Sequence, residues 1–117
     1  MPHIDVERAL KALDGNLELL KDLARMFVED APVLMENLKT ALLDNDPLNA
    51  RSVVHNLKGL VSTFFAKASV EIAQRLEDSA AIGDLTPFFT GELDRLEDSI
   101  SLLTSDFTER GWVDQIG

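Results

Sequence analysis

Ala50-Arg-Ser-Val-Val-His-Asn-Leu-Lys-Gly-Leu-Val-Ser-Thr-Phe-Phe-Ala66 is the stretch whose spacing decides how this chain folds. Its apolar residues fall at Ala50, Val53, Val54, Leu57, Leu60, Val61 and Phe64. That is the i, i+3, i+4, i+7 recurrence of a helix with one buried face. At about 100° per residue, His55 lies roughly 200° from Leu57, on the outer face. Arg51 at i−4, Lys58 at i+3, Gly59 at i+4 and Ser62 at i+7 share that face with it. An imidazole therefore points outward, with a lysine beside it and a glycine where a side chain would crowd it.

Working outward, Asp46-Pro47 supplies an N-cap and a first helical residue for this helix. Upstream, a second pattern runs from Asn16 or Leu17 to about Leu43, with the stripe Leu17, Leu20, Ala24, Phe27, Ala31, Leu34, Leu38 and Ala41 or Leu42. Asn16 can cap it, with Glu18 complementing the dipole. Pro32 falls inside it, so a kink is expected near Val28 to Ala31, but the stripe stays in phase and one helix is favoured. A short helix over Ile4 to Leu13 precedes the Asp14-Gly15-Asn16 turn. Downstream, Ala68 to Ala81 reads as a helix with Val70, Ala73, Leu76 and Ala80 inward, ended by Gly83-Asp84. Thr86-Pro87 opens another, expected to reach Thr108 or Glu109 on the stripe Phe89, Leu93, Leu96, Ile100, Leu103, Phe107. Gly111 stops it, and Trp112 is expected to fold back on the core. No segment alternates like a strand. The expected fold is all-α, an antiparallel up-down-up-down four-helix bundle with a short additional N-terminal helix. It forms a single domain over residues 1–117, with its core at about 4–110 and a tail at 111–117.

The 117 residues suit one core, and 45% hydrophobic content can fill it. Without cysteine there are no disulfides, cysteine-zinc sites or thiol chemistry, which is compatible with a reducing compartment. No signal peptide or membrane-length apolar run is visible. A cytoplasmic location and a monomer are expected. The net charge of −10 repels nucleic-acid phosphates and anionic lipid, so neither is an expected partner. Against that background the cations Arg51, Lys58 and Lys67 stand out, because residues 47–69 carry no acid.

Enzymatic chemistry has little to build on. There is no nucleophile elbow, no phosphate-binding glycine loop and no nucleotide fingerprint. His3 and His55 are the only histidines, and no Glu-x-x-His pair of the diiron-bundle kind occurs, so no metal site is expected. A lone histidine is most often a core or neutral surface residue. Its angle argues against the core, and its neighbours argue for more than neutrality. A phosphohistidine carries a charge of roughly −2, which a nearby lysine can balance. Gly59 costs about 1 kcal/mol inside a helix, and it lies beside His55 rather than on the buried stripe.

His55-Asn-Leu-Lys58-Gly59 resembles the His-x-[hydrophobic]-Lys-Gly motif of histidine-containing phosphotransfer (HPt) domains. Leu19-Leu-Lys-Asp-Leu-Ala-Arg-Met-Phe-Val-Glu-Asp-Ala-Pro32 resembles that family's first long helix. Ala73-Gln-Arg-Leu-Glu77 and Gly83-Asp-Leu85 resemble the helix and turn after the motif. The likeness covers about residues 10 to 108. It implies a phosphorelay intermediate in two-component signalling, in which His55 takes a phosphoryl group from a receiver-domain aspartate and passes it to another. Such domains have no ATP-dependent kinase activity and no cofactor of their own. Mg²⁺ is expected on the partner receiver. Response-regulator receivers and a hybrid histidine kinase are the implied partners. Lys58 would balance phosphoryl charge and Gly59 would allow approach, with Arg51 and Ser62 on the same face. Leu60 or Phe65 would dock the receiver, and Gln74 or Glu77 would orient the ring. Two positions depart from the family, Ser62 and Phe65. Phe65 replaces a frequent glycine, and is expected either to extend the helix or to serve as a partner contact. The alternatives are a non-catalytic adaptor using the same face, and a dimerising histidine-kinase bundle, which would need an ATP-binding domain. Met1 and the tail after Gly111 favour a free-standing protein.

Overall fold

The computed structural model describes residues 3–113; residues 1–2 and the outer part of the expected tail, 114–117, lie outside the described residues. Six helices follow one another, and no strand occurs among the described residues. They are α1 (Val6–Ala12), α2 (Leu17–Leu43), α3 (Pro47–Ser62), α4 (Lys67–Ala81), α5 (Thr86–Phe89) and α6 (Glu92–Glu109). The start signals act locally, as expected. Asn16 accepts a hydrogen bond from the Leu19 N–H at 3.0 Å, and Asp46 accepts one from the Asn49 N–H at 3.1 Å. α2 runs unbroken through Pro32, which sits on its exposed side.

The long helices close a ring: α2 packs on α3, α3 on α4, α4 on α6, and α6 back on α2. Cross-pairs give the directions. Phe27 meets Phe107, and Lys39 meets Glu97 at 2.7 Å, so α2 and α6 run antiparallel. Ser69–Ser99 and Arg75–Glu92 do the same for α4 and α6, and Lys58–Gln74 and His55–Glu77 for α3 and α4. An up-down-up-down bundle results, with short turns joining α2 to α3 and α3 to α4 and a longer link carrying α5 between α4 and α6.

The buried set includes Leu20, Ala24, Phe27, Leu38, Val54, Leu57, Val61, Leu76, Leu96 and Leu103. At one end Phe27, Phe64 and Phe107 meet with centroids 4.7–5.7 Å apart, and Trp112 stacks on Phe107 at 5.9 Å, folded back as expected. The chain's beginning is tied to this end too. The Asp5 N–H donates to the Phe64 carbonyl at 3.0 Å, and the His3 N–H to the Asp106 carboxylate.

Three expectations are corrected. The helix expected from Thr86 to Glu109 is two helices, because Gly91 adopts φ +113 and resets the helical phase. That reset buries Phe88 and leaves Phe89 exposed. Leu17 is also exposed at the start of α2, while Met35 and Ile72 join the core. α3 ends at Ser62, and Phe65 takes φ +53 without extending it. The tight turn survives with a phenylalanine in the left-handed position, at a cost of roughly 1 kcal/mol or more.

Phe107 touches both aromatic neighbours and Trp112 while fully buried. Phe107→Ala is expected to lower unfolding stability by about 3–5 kcal/mol, read as a fall in the urea midpoint. A loss under about 1 kcal/mol would contradict this packing.

Candidate functional site

The outer face of α3 carries Arg51, His55, Lys58, Gly59 and Ser62, and α4 lies antiparallel beside it. The pairing lets α4 side chains reach α3 at helix-turn spacing. Glu77 projects into the seam, with its side chain only 12% exposed. One carboxylate oxygen sits 2.8 Å from Nδ1 of His55, and the other 2.6 Å from Nζ of Lys58. Lys58 also donates to Oε1 of Gln74 at 3.1 Å, and the Gln74 amide nitrogen donates to Asp78 at 2.8 Å. The imidazole itself is open, its side chain 64% exposed, whereas Lys58 is 22% exposed.

Two effects compete at Glu77. Burial pushes its carboxyl up, since a charge loses solvation in the seam. The hydrogen bonds and charge of Lys58 and His55 outweigh that and hold it below the ordinary glutamate range. Glu77 is thus ionised near neutrality, and an ionised carboxylate only accepts. Nδ1 of His55 must be the donor. In the neutral ring the lone pair then resides on Nε2. One α4 carboxylate therefore selects the tautomer and holds the ring at its Nδ1 edge.

The remaining expected residues divide clearly. Gly59 is exposed in the last turn of α3, and a Cβ built there would meet nothing within 4 Å, so no contact among the described residues demands a glycine. Leu60 is half-buried and lines a groove between α2 and α3 with Asp30, Val33, Leu34, Asn56 and Gly59. Arg51 lines a recess with Leu48, Ser52, His55 and Glu77. Ser62 is engaged locally, its hydroxyl donating to the Lys58 carbonyl at 2.6 Å. Gln74 bonds Lys58 rather than the ring; of the two α4 residues expected to orient His55, Glu77 is the one that touches it. Phe65 is not brought to the site. It lines a cleft just past the C-terminal end of α3 with residues such as Ile4, Lys67 and Arg110. Ser52 and Asp78 were missed by sequence reasoning. Ser52 has a recoverable signal, since i−3 from His55 places it on the same side. Among the described residues no group of three or more His, Asp or Glu side chains is placed to hold a metal ion.

Compared with known families, the chain matches the Hpt domain model over residues 22–106, from the first turns of α2 to the last turn of α6. No curated protein matches the chain, and no solved structure does.

Because Glu77 has a depressed pKa, its contribution to stability is present above the unfolded value of about 4.3 and is lost as pH falls through the lower folded value. The His55 and Lys58 contacts should accordingly persist at that unfolded value and disappear only below it. Imidazole ¹⁵N NMR is expected to show the Nδ1–H form for the neutral ring, and Glu77→Gln to weaken that preference. An unchanged tautomer ratio in the variant would remove Glu77 from this role.

Proposed function

The chain belongs to the Hpt domain family, and on that premise we propose that it is a phosphorelay intermediate carrying its phosphoryl group on Nε2 of His55. Hpt domains are phosphocarrier modules that exchange phosphoryl groups with receiver domains and are not themselves kinases. The observation that carries the residue assignment is the hydrogen bond between Nδ1 of His55 and Glu77, beside an otherwise open ring.

That geometry supports the following step. The Nε2 lone pair attacks the phosphorus of an aspartyl phosphate on the receiver. The N–P bond forms as the P–O bond to the aspartate breaks, and the carboxylate leaves with the electron pair. Nε2 has no proton to lose. The ring becomes cationic with its proton on Nδ1, and the Glu77 carboxylate, already in place there, stabilises that charge. In the reverse direction the same protonated ring is a competent leaving group, so the phosphoryl group can pass on. Mg²⁺, expected on the receiver and not on this chain, would help neutralise the carboxylate that departs. This chain supplies orientation and an unobstructed approach.

Approach is the role of Gly59. With no internal contact to protect, its open surface suits a partner's backbone coming close to the imidazole. Leu60 and the groove it lines are candidate docking surface. Lys58 holds Glu77 in the seam, and through it the ring.

The direct test is incubation with a phosphorylated receiver, scoring acid-labile, base-stable label on this protein. Label is expected on the wild type and absent from His55→Gln. Label persisting in that variant excludes His55 as the carrier, and no transfer to the wild type from cognate receivers favours the adaptor reading. A second variant separates stability from function. Gly59→Ala should raise unfolding stability by up to about 1 kcal/mol, since the new methyl meets nothing, while slowing transfer. Faster or equal transfer would count against the approach role.

A further inference from the structure

Lys58 is the residue that the motif offers for balancing the phosphoryl charge, yet the structure shows its charge already engaged. Its ammonium lies 2.6 Å from one Glu77 oxygen and 3.1 Å from the Gln74 carbonyl, in a seam where the Glu77 side chain is only 12% exposed. Moving it to a phosphoryl group would strip a largely buried carboxylate of its ammonium and leave it the Nδ1–H of His55 alone, a loss that a solvent-screened pairing with the phosphoryl group has to offset.

The other cations point elsewhere. Among the described residues, Arg8, Lys21, Arg25, Lys39, Lys58, Lys67, Arg75 and Arg95 lie within ion-pair distance of a carboxylate. Arg110 stacks over Trp112. Arg51 and Lys11 make no such contact among the described residues, although acids outnumber bases 21 to 11 in this chain, and of the two only Arg51 lies on α3 with His55. Arg51 sits one turn before His55, and the two line the same recess. A helical side chain leans back over the turn N-terminal to its own Cα, so the ring of His55 is inclined toward the turn that carries Arg51 and Ser52. Ser52 is exposed in that turn and presents a hydroxyl. A guanidinium offers paired N–H donors in a fork that matches phosphoryl oxygens.

We propose that Arg51, not Lys58, is the cation that binds the phosphoryl group on His55, with Ser52 as an accessory donor, while Lys58 is a positioning residue acting through Glu77. This inference rests on the reading of His55 as the phosphoryl carrier. The two flanking cations then act at different stages. Lys58 is fixed before the phosphoryl group arrives, and Arg51 is available to meet it.

The test loads the intact protein with phosphoramidate as phosphoryl donor and follows the phosphohistidine ³¹P resonance as pH is varied. A cation on the phosphoryl oxygens favours the dianion and lowers the midpoint of its titration, against the opposing field of Glu77 and with the shared background of Lys58. Arg51→Gln is expected to raise that midpoint by about half a pH unit at low salt, with a smaller shift at high salt. Arg51→Lys should restore part of the difference. Lys11→Gln removes an equal charge outside the site and should leave the midpoint in place. Equal midpoints for wild type and Arg51→Gln, with loading intact, overturn the Arg51 assignment alone, as would an equal shift from Lys11→Gln. A wild type that takes no label from a phosphorylated receiver, or a His55→Gln variant that still takes it from that receiver, overturns the carrier reading and this inference with it; the ³¹P titration itself is run in a His3→Gln background, which leaves His55 as the one histidine.

Discussion

Glu77 reaches His55 and Lys58 because α3 and α4 run antiparallel in close contact, and that pairing is set by the short turn between Ser62 and Lys67. If the turn changed length, α4 would shift against α3 and Glu77 would face a different pair of residues. The turn is held by Phe65 in the left-handed region, by Phe64 buried in the aromatic cluster, and by the Asp5 N–H on the Phe64 carbonyl. The strain at Phe65, roughly 1 kcal/mol or more, is offset by the burial of Phe64, worth about 1.5–3 kcal/mol, so the geometry is tolerated without a glycine. Core packing at one end of the bundle thereby fixes the orientation of an exposed ring further along.

The electrostatics of the site follow from the same seam. A carboxylate between two helices would be costly alone, and its two basic neighbours make it favourable. The cost of burial is also what makes the carboxylate selective. Exposed, it would be solvated and would hold the imidazole weakly; in the seam, with few alternative partners, it holds one ring nitrogen and one ammonium in fixed places. His55 stays open on its other edge, so orientation is obtained without closing the site.

Much of this was legible in the sequence, for identifiable reasons. Long helices announce themselves by periodicity, and Asn16, Asp46 and Pro47 mark starts by local chemistry that acts without tertiary help. The outward angle of His55 follows from spacing alone. What was not legible depended on one backbone angle or on an inter-helix register. Gly91 sits inside a stripe that looks continuous, and only its positive φ breaks the helix and exchanges Phe89 for Phe88 in the core. Phe65 resembled a helix extension because residue type argues against a left-handed conformation that packing nonetheless imposes. Gln74 and Glu77 lie three residues apart on the same side of α4, so periodicity cannot choose between them. The offset of α3 against α4 decides that Glu77 meets the ring and Gln74 the lysine.

The ties that hold Asp5 to Phe64, His3 to Asp106 and Trp112 to Phe107 bring both ends of the described chain to one pole of the bundle. The row Lys58, His55, Arg51 runs along α3 away from that pole. The architecture is therefore polarised like a plug with its leads at the back. An attachment that continues from either end of the described chain would start beside the α3–α4 turn, at the pole from which the His55 row leads away. Proximity of the two ends also makes the fold a candidate for circular permutation, with the exposed Ile82–Asp84 bend as the natural place to open it.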